Sequence, residues 1–335
     1  MFDVNYDFFL IENNFKEIEE VKSEKIQGDT SSKLPLVSIV IPTYKRVSTL
    51  RETLDSAIRQ TGNHNYEILV VDNNPERGDE TELLMAEYVK NLLYFKNTAN
   101  IGMAGNWSRC SELAHGEWVV LIHDDDLLVN NYLDEIEPCL INCVDGLFVC
   151  PKTFIDGEPL PTLNNSERME IMKITLMYQY LFPILCASGN ALRKSKILEY
   201  GGYTSKTYAP DFFFSKMVYY SNVYMTNKSL IYYRKGLNES TKTEVMDKLN
   251  YINHYFRIQN FQRIGIPLYL INIIMPYSDI LFEQGFKKEW NKEYQYSHMK
   301  KYKKFDVFMS GIIYRIVEMV IKVIRRVNRK IIVIE

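Results

Sequence analysis

The stretch that most constrains this chain is EWVVLIHDDDLL, residues 117–128, where a short apolar run ends on three consecutive carboxylates. Residues 118–122 are too few for a typical helix and rich in β-formers, so they read as a buried strand of a parallel sheet. Asp124, Asp125 and Asp126 then fall just past the carboxyl end of that strand, where open α/β sheets place their ligands. Adjacent carboxylates repel one another and are costly to desolvate, so the cluster needs either full hydration or a cation. From these residues alone two readings stand: a divalent metal site, or a hydrated acidic loop in which Asp126 caps a helix starting near Leu127.

The preceding residues supply the sheet to which such a strand belongs. LVSIVI ends at Pro42, whose missing N–H terminates pairing, and gives a first strand over 37–41. Leu50, Leu54 and Ile58 recur at helical spacing, with Thr49 and Glu52 placed as a capping box, and Gly62 and Asn63 close the helix. YEILVV (66–71) is a second strand followed by the turn Asp72-Asn73-Asn74-Pro75. A helix to about 91, a strand over 92–96 and a helix around 105–114 complete a βαβαβαβ series. Such alternation predicts a Rossmann-like, mostly parallel sheet flanked by helices. Polar clusters follow three of the strands and converge on one edge: Thr43 to Arg46, Asp72 with Asn73, and the Asp triplet. Neither GxGxxG nor a Walker loop follows strand one, so phosphates there need another neutralising group, and a metal on the carboxylates is available.

Composition narrows the class. With 335 residues and 46% apolar content the chain has room for a real core, and a net charge of −2 gives no global attraction to nucleic acid. The cysteines, at 110, 139, 143, 150 and 186, are odd in number and lack a CxxC pair, so they read as reduced core thiols of a cytoplasmic protein. The acidic first residues do not form a signal peptide, and no uninterrupted apolar window reaches spanning length. Residues 1–34 end in the Gly/Ser/Thr stretch GDTSSK and read as a peripheral extension and linker.

Seven segments carry a family resemblance: VSIVIPTYKR (37–46), EILVVDNN (67–74), NIGMAGNWSRC (100–110), GEWVVLIHDDDLL (116–128), GGY (201–203), Pro210-Asp211 and YYRKGLNEST (232–241). In this order they resemble family 2 glycosyltransferases with the GT-A fold, over roughly residues 35–241. The resemblance implies a domain at 35–243, with a nucleotide-binding half (35–130) and an acceptor-binding half (131–243). It implies transfer of a sugar, with inversion, from a nucleotide-sugar donor, UDP-linked by preference, to a glycan or lipid-linked acceptor in cell-envelope polysaccharide synthesis. Pro42, Thr43, Tyr44 and Asp72 would hold the nucleoside, with Arg46, Asn100, Gly102 and Asn106 completing the donor site. The triplet corresponds to the family's DxD element for Mn²⁺ or Mg²⁺. Two registers are open: aligned on its last two acids, the motif puts Asp125 and Asp126 nearest the ion and Asp124 toward ribose or solvent, with His123 standing where an Asp is usual, and read as a literal DxD it puts Asp124 and Asp126 on the metal. Asp211 corresponds to the general base, and its three following phenylalanines would desolvate it and strengthen it as a base. Arg234 or Lys235 would reach the diphosphate from a lid. Trp107 is placed to stack on a sugar, and Gly189-Asn190 to end a strand facing the cleft. Alternatives are a non-catalytic sugar-nucleotide or glycan-binding scaffold and a sugar-phosphate nucleotidyltransferase, the latter lacking its glycine-rich loop here.

Beyond residue 244 the pattern is helical, interrupted at Pro267 and Pro276. The tail carries nine basic and three acidic residues over 301–335. Arg315, Glu318, Lys322, Arg325 and Arg329 repeat at helical spacing against Ile, Val and Met, with KKYKK (300–304) just ahead. That basic amphipathic pattern reads as a helix resting on an anionic membrane surface, or packed on its own domain or a dimer partner.

Overall fold

The computed structural model describes residues 2–29, 33–88, 92–141, 145–163, 168–181, 187–236, 242–289, 295–297, 304–327 and 329–331. In chain order its elements are β1 (Ser23–Gln27), β2 (Val37–Thr43), α1 (Val47–Ile58), β3 (Tyr66–Asp72), α2 (Glu80–Met85), β4 (Leu92–Asn97), α3 (Gly102–Leu113), β5 (Trp118–Leu121), β6 (Leu127–Leu128) and α4 (Tyr132–Leu140). The second half adds β7 (Gly146–Ile155), β8 (Glu170–Lys173), α5 (Leu176–Leu181), β9 (Asn190–Arg193), α6 (Lys194–Glu199), α7 (Phe213–Tyr220), β10 (Val223–Lys235), α8 (Thr243–Arg263), α9 (Leu268–Glu289), α10 (Lys304–Val327) and β11 (Arg329–Ile331).

All strands share one sheet of order β1-β4-β3-β2-β5-β9-β7-β10-β8-β11, with β6 paired to β10. The four strands read from the sequence, β2 to β5, form its parallel core: β2 pairs in parallel with β3 and β5, and β3 with β4. Antiparallel pairs appear outside it, at β1–β4, β5–β9 and β7–β9. Every residue of β2 is buried, as expected of a central strand covered on both faces. The two faces are closed by separate hydrophobic cores. One holds Ile39, Ile41, Leu50, Leu54 and Val120. The other holds Val40, Leu69, Trp107, Val119 and Leu121. Alternate residues of each strand thus feed opposite cores.

Several expectations are corrected. The N-terminal extension is not peripheral: Phe8 and Phe9 are buried, and β1 adds a strand beside β4. Asn14 also donates to the carbonyl of Gly201 at 3.1 Å, tying the segment to the second half of the domain. Helix α1 starts two residues before Thr49, so there is no capping box; Thr49 Oγ1 donates back to the Arg46 carbonyl, and Glu52 binds Arg234 instead. No helix starts at Leu127: residues 127–128 form a strand paired with Ile231 and Tyr232, which removes the capping role of Asp126. Gly189-Asn190 begins β9 rather than ending a strand, and the buried Asn190 side chain accepts from the Val149 N–H at 3.1 Å. Cys110 and Cys139 are free thiols and Cys150 Sγ donates to the Thr226 carbonyl at 3.4 Å; Cys143 and Cys186 lie outside the described residues.

Candidate active site

A cavity of about 600 Å³ opens at the carboxyl ends of β2, β3 and β5. Where parallel strands end, their connecting loops diverge and leave a crevice, and three loops line it here. The β2 loop contributes Pro42, Thr43, Tyr44 and Arg46. Lys45 between them holds a positive φ of 54°, a strained turn that lets the chain reverse before α1. The β3 loop contributes Asn73, and the start of α3 contributes Asn100, Gly102 and Asn106. Asparagines weld this wall: Asn73 Nδ2 donates to Asn100 Oδ1 at 2.8 Å, Asn97 Nδ2 to Asn73 Oδ1 at 3.0 Å, and Asn97 Nδ2 to Asn106 Oδ1 at 2.9 Å. Asn106 in turn donates to the Val71 carbonyl at 3.0 Å, fixing α3 to the end of β3.

The third loop carries the acidic triplet, and its three carboxylates have three different environments. Asp124 accepts from Thr43 Oγ1 at 2.8 Å; burial, then the neighbouring Asp125, push its pKa up to about 6. Asp125 pairs with Arg46, whose guanidinium also lies 3.6 Å from Asp124. Asp126 is fully buried and accepts at Oδ1 from the Arg234 N–H at 2.9 Å, while its Oδ2 accepts no hydrogen bond among the described residues. His123 places Nδ1 3.5 Å from that Oδ2, and its own Nε2 is also buried without a hydrogen bond among the described residues. Desolvation pulls the imidazole pKa down, but Asp126, Asp125 and Asp211 outweigh it and raise it to about 9.

His123, Asp125 and Asp126 each present one ligand atom, all within 4.8 Å of one another. Two carboxylates and an imidazole form a donor set suited to Mn²⁺, which accepts both oxygen and imidazole ligands. The unsatisfied oxygen and nitrogen point to the same conclusion, since buried polar atoms without a partner are expensive unless something fills them. A divalent cation would fit here, and His123, Asp125 and Asp126 are the residues that would hold it. Asp124 lies outside that group of three, bonded to Thr43.

Asp211 lines the same cavity. It sits in a 3₁₀ turn, Pro210–Phe212, immediately ahead of α7, and no side chain caps either helix. Burial is the main influence on its carboxyl and pushes the pKa up to about 6, against a smaller downward pull from His123. Below it Trp107 stacks on His123, with ring centroids 5.2 Å apart, and meets Tyr203 edge-on at 5.4 Å. Trp107 is buried, so its indole supports the imidazole from one side while lining the cavity floor.

Two expected ligand-facing residues are placed elsewhere. Asp72 is fully buried behind the wall, accepting from Lys96 Nζ at 2.8 Å, Tyr94 Oη at 3.0 Å and the Asn74 N–H at 2.9 Å. A buried carboxylate needs a partner, and Lys96 on the adjacent strand supplies it, so Asn73 rather than Asp72 faces the cavity. Arg234 is likewise buried behind the triplet: Nε donates to the Asp125 carbonyl at 2.7 Å, and the guanidinium binds Glu52 at 2.7 Å and Asp156. It braces the carboxylate loop, and the neighbouring Tyr233, on the opposite side of the alternating strand, lines the cavity. The remainder of the expected lid, 237–241, lies outside the described residues.

Residues 38–201 match the family model of glycosyl transferase family 2. Over that segment the chain is similar to the family. An "uncharacterized glycosyltransferase" of Rickettsia typhi is 31% identical to it over 157 residues, covering 45% of this chain and 46% of that protein. One of Rickettsia bellii is 33% identical over 109 residues, 32% of this chain and 15% of that protein. The chain thus spans less than half the length of these curated relatives. Among solved structures, residues 1–349 of Staphylococcus aureus TarS in complex with UDP-GlcNAc superpose with a TM-score of 0.56 at 15% identity, covering 84% of this chain and 81% of that one. The mannosyltransferase PcManGT from Pyrobaculum calidifontis, in complex with GDP-Man and Mn²⁺, gives a TM-score of 0.51 at 12% identity, covering 91% of each chain. These likenesses establish the GT-A fold expected from the sequence.

Proposed function

We propose that the family 2 domain transfers a sugar from a nucleotide-sugar donor, UDP-linked by preference, to a hydroxyl of a glycan or lipid-linked acceptor, inverting the anomeric configuration. One observation carries this reading: a buried carboxylate of raised pKa, Asp211, lines the same cavity as His123 and Asp125, two of the three members of the His123/Asp125/Asp126 cluster. The cluster, loaded with Mn²⁺ or Mg²⁺, would neutralise the charge that develops on a departing nucleoside diphosphate. Tyr44, Asn73, Asn100 and Gly102 line the part of the cavity formed by the β2 and β3 loops and the start of α3, the side assigned to the nucleoside. Arg46, already held by Asp125 and Asp124, lies beside the cluster as a second cation for diphosphate. Asp211 takes the proton from the acceptor hydroxyl as its oxygen attacks the anomeric carbon, and the bond to the diphosphate oxygen breaks on the opposite face. A single displacement of this kind inverts configuration. The complexes of TarS with UDP-GlcNAc and of PcManGT with GDP-Man and Mn²⁺ support the donor class. The test is turnover of UDP-GlcNAc, and of a panel of other nucleotide sugars, with Mn²⁺. Binding without hydrolysis or transfer across that panel would leave only a scaffold.

The same proposal places the enzyme against an anionic bilayer through α10, which packs on α9. Phe305, Phe308, Ile312, Ile316, Met319 and Val323 are all exposed. At 100° per residue they fall within an arc of about 80°. Lys304, Arg315 and Lys322, also exposed, run along one flank of that arc, the arrangement of an in-plane helix whose basic side chains reach lipid phosphates. No helix among the described residues is long and apolar enough to cross a membrane. The full chain is expected to float with vesicles containing phosphatidylglycerol and not with pure phosphatidylcholine, and F308E/M319E is expected to abolish flotation. Equal behaviour of the variant, or a loss of self-association in place of lipid binding, would overturn this placement.

A further inference from the structure

The wall of the cavity nearest Asp211 comes from outside the matched family segment. Met246, Leu249 and Asn253 of α8 and Phe282 of α9 all line it. Helix α8 is pinned there by aromatic packing: Phe256, one turn beyond Asn253, lies 5.2 Å from Phe212, the residue after Asp211, and 5.4 Å from Phe8. Helix α9 is pinned to α8 through Asp279, which binds His254 Nδ1 at 2.8 Å and the Arg257 guanidinium. Arg257 also lies over the ring of Phe282, 5.1 Å from its centroid, holding that ring at the cavity edge.

Asn253 is the polar member of this wall. It is 3% exposed, lines the cavity, and its Oδ1 accepts no hydrogen bond among the described residues. A buried amide oxygen left open toward a cavity is costly unless a ligand O–H or N–H meets it. Around it Met246, Leu249 and Phe282 offer an apolar face, as does Phe212 beside the base. An apolar face with one acceptor atom at its edge matches a pyranose ring, which presents a C–H face and peripheral hydroxyls. We infer that α8 and α9 form the acceptor subsite, in which a sugar ring lies against Met246, Leu249 and Phe282 while Asn253 Oδ1 accepts from one of its hydroxyls. This rests on the assignment of Asp211 as the base and specifies where its acceptor sits.

The test uses the full chain with UDP and Mn²⁺ and a panel of octyl pyranosides of differing hydroxyl configuration, read by saturation-transfer NMR. At least one glycoside is expected to bind, and Asn253→Leu, of similar size but without the acceptor atom, is expected to weaken it about tenfold. Asn253→Asp, which keeps an oxygen at that position, is expected to retain binding, and melting curves establish that both variants fold. Glycoside binding that is absent, or equal in wild type and Asn253→Leu, overturns the subsite while leaving the donor reaction standing. Absence of hydrolysis in the wild type across the donor panel counts instead against the enzymatic reading itself.

Discussion

The two ends of the catalytic cavity are built by opposite means. On the donor side, strand ends and short loops put Thr43, Asn73 and Asp124 at the crevice, and each is fixed by hydrogen bonds to its neighbours, such as Thr43 to Asp124 at 2.8 Å. On the proposed acceptor side, long helices bring Met246, Leu249, Asn253 and Phe282 to the wall by packing, and the amide oxygen of Asn253 accepts no hydrogen bond among the described residues. A loop at a strand end is positioned by backbone pairing within tens of residues. A helix docked from the C-terminal third is positioned by side chains hundreds of residues from their partners, as Gln259 binding the Phe8 N–H at 3.0 Å illustrates. The first arrangement suits a ligand shared by many enzymes, and the second suits an acceptor that differs between them.

The largest effect is expected where the two sides meet. Asp211→Asn removes the base while keeping its shape, and transfer is expected to fall about 10²- to 10⁴-fold with UDP-dependent thermal stabilisation retained. The carboxylate acts only when deprotonated, so with its pKa raised to about 6, kcat is expected to rise with pH through that value and level off above it. A flat profile across pH 5–8 would separate Asp211 from the chemistry. Next, His123→Ala removes one proposed metal ligand and the Trp107 stacking partner from the donor side. Affinity for Mn²⁺ by calorimetry is expected to drop about 10- to 100-fold, with glycoside binding at the other end unaffected. If glycoside binding falls equally, the two sides are one unit and the contrast fails. A smaller change is expected from Arg234→Met, which leaves the cavity lining and the backbone N–H bond to Asp126 intact but removes the guanidinium that braces the Asp125 carbonyl, Glu52 and Asp156. Stability is expected to fall by about 2 kcal/mol in urea unfolding, with Mn²⁺ binding weakened through the loosened loop.

Much of this was legible in the chain, for identifiable reasons. The β2 to β5 core follows from β-branched runs broken by Pro42 and the Asp72 turn, because strand and helix periodicities are local. The functional edge was legible too, since polar residues immediately after buried strands have nowhere else to go. The fate of individual side chains there was not. Asp72 and Arg234 are charged and adjacent to the cavity, yet both are consumed by partners on other elements, Lys96 and the Glu52/Asp156 pair. His123 was visible as an exception to the acidic pattern, but its place among the metal-fitting atoms depends on how the loop turns before β6.

The C-terminal wall left a weaker trace. Asn250, Asn253, Arg257 and Asn260 repeat along α8 at helical spacing and are all buried, a polar stripe on the face where apolar residues would be usual. From the sequence alone such a stripe is indistinguishable from a solvent face.

What the sequence determined by itself is the parallel β2 to β5 core, its open edge and the presence there of a carboxylate cluster that needs either full hydration or a cation, because each depends on residues close in the chain. What only the tertiary structure decided is which carboxylates remain available and which distant helix closes the cavity beside Asp211. Those outcomes depend on pairings such as Asp72 with Lys96 and Phe212 with Phe256, and a buried charge or ring takes whichever partner the fold brings within reach.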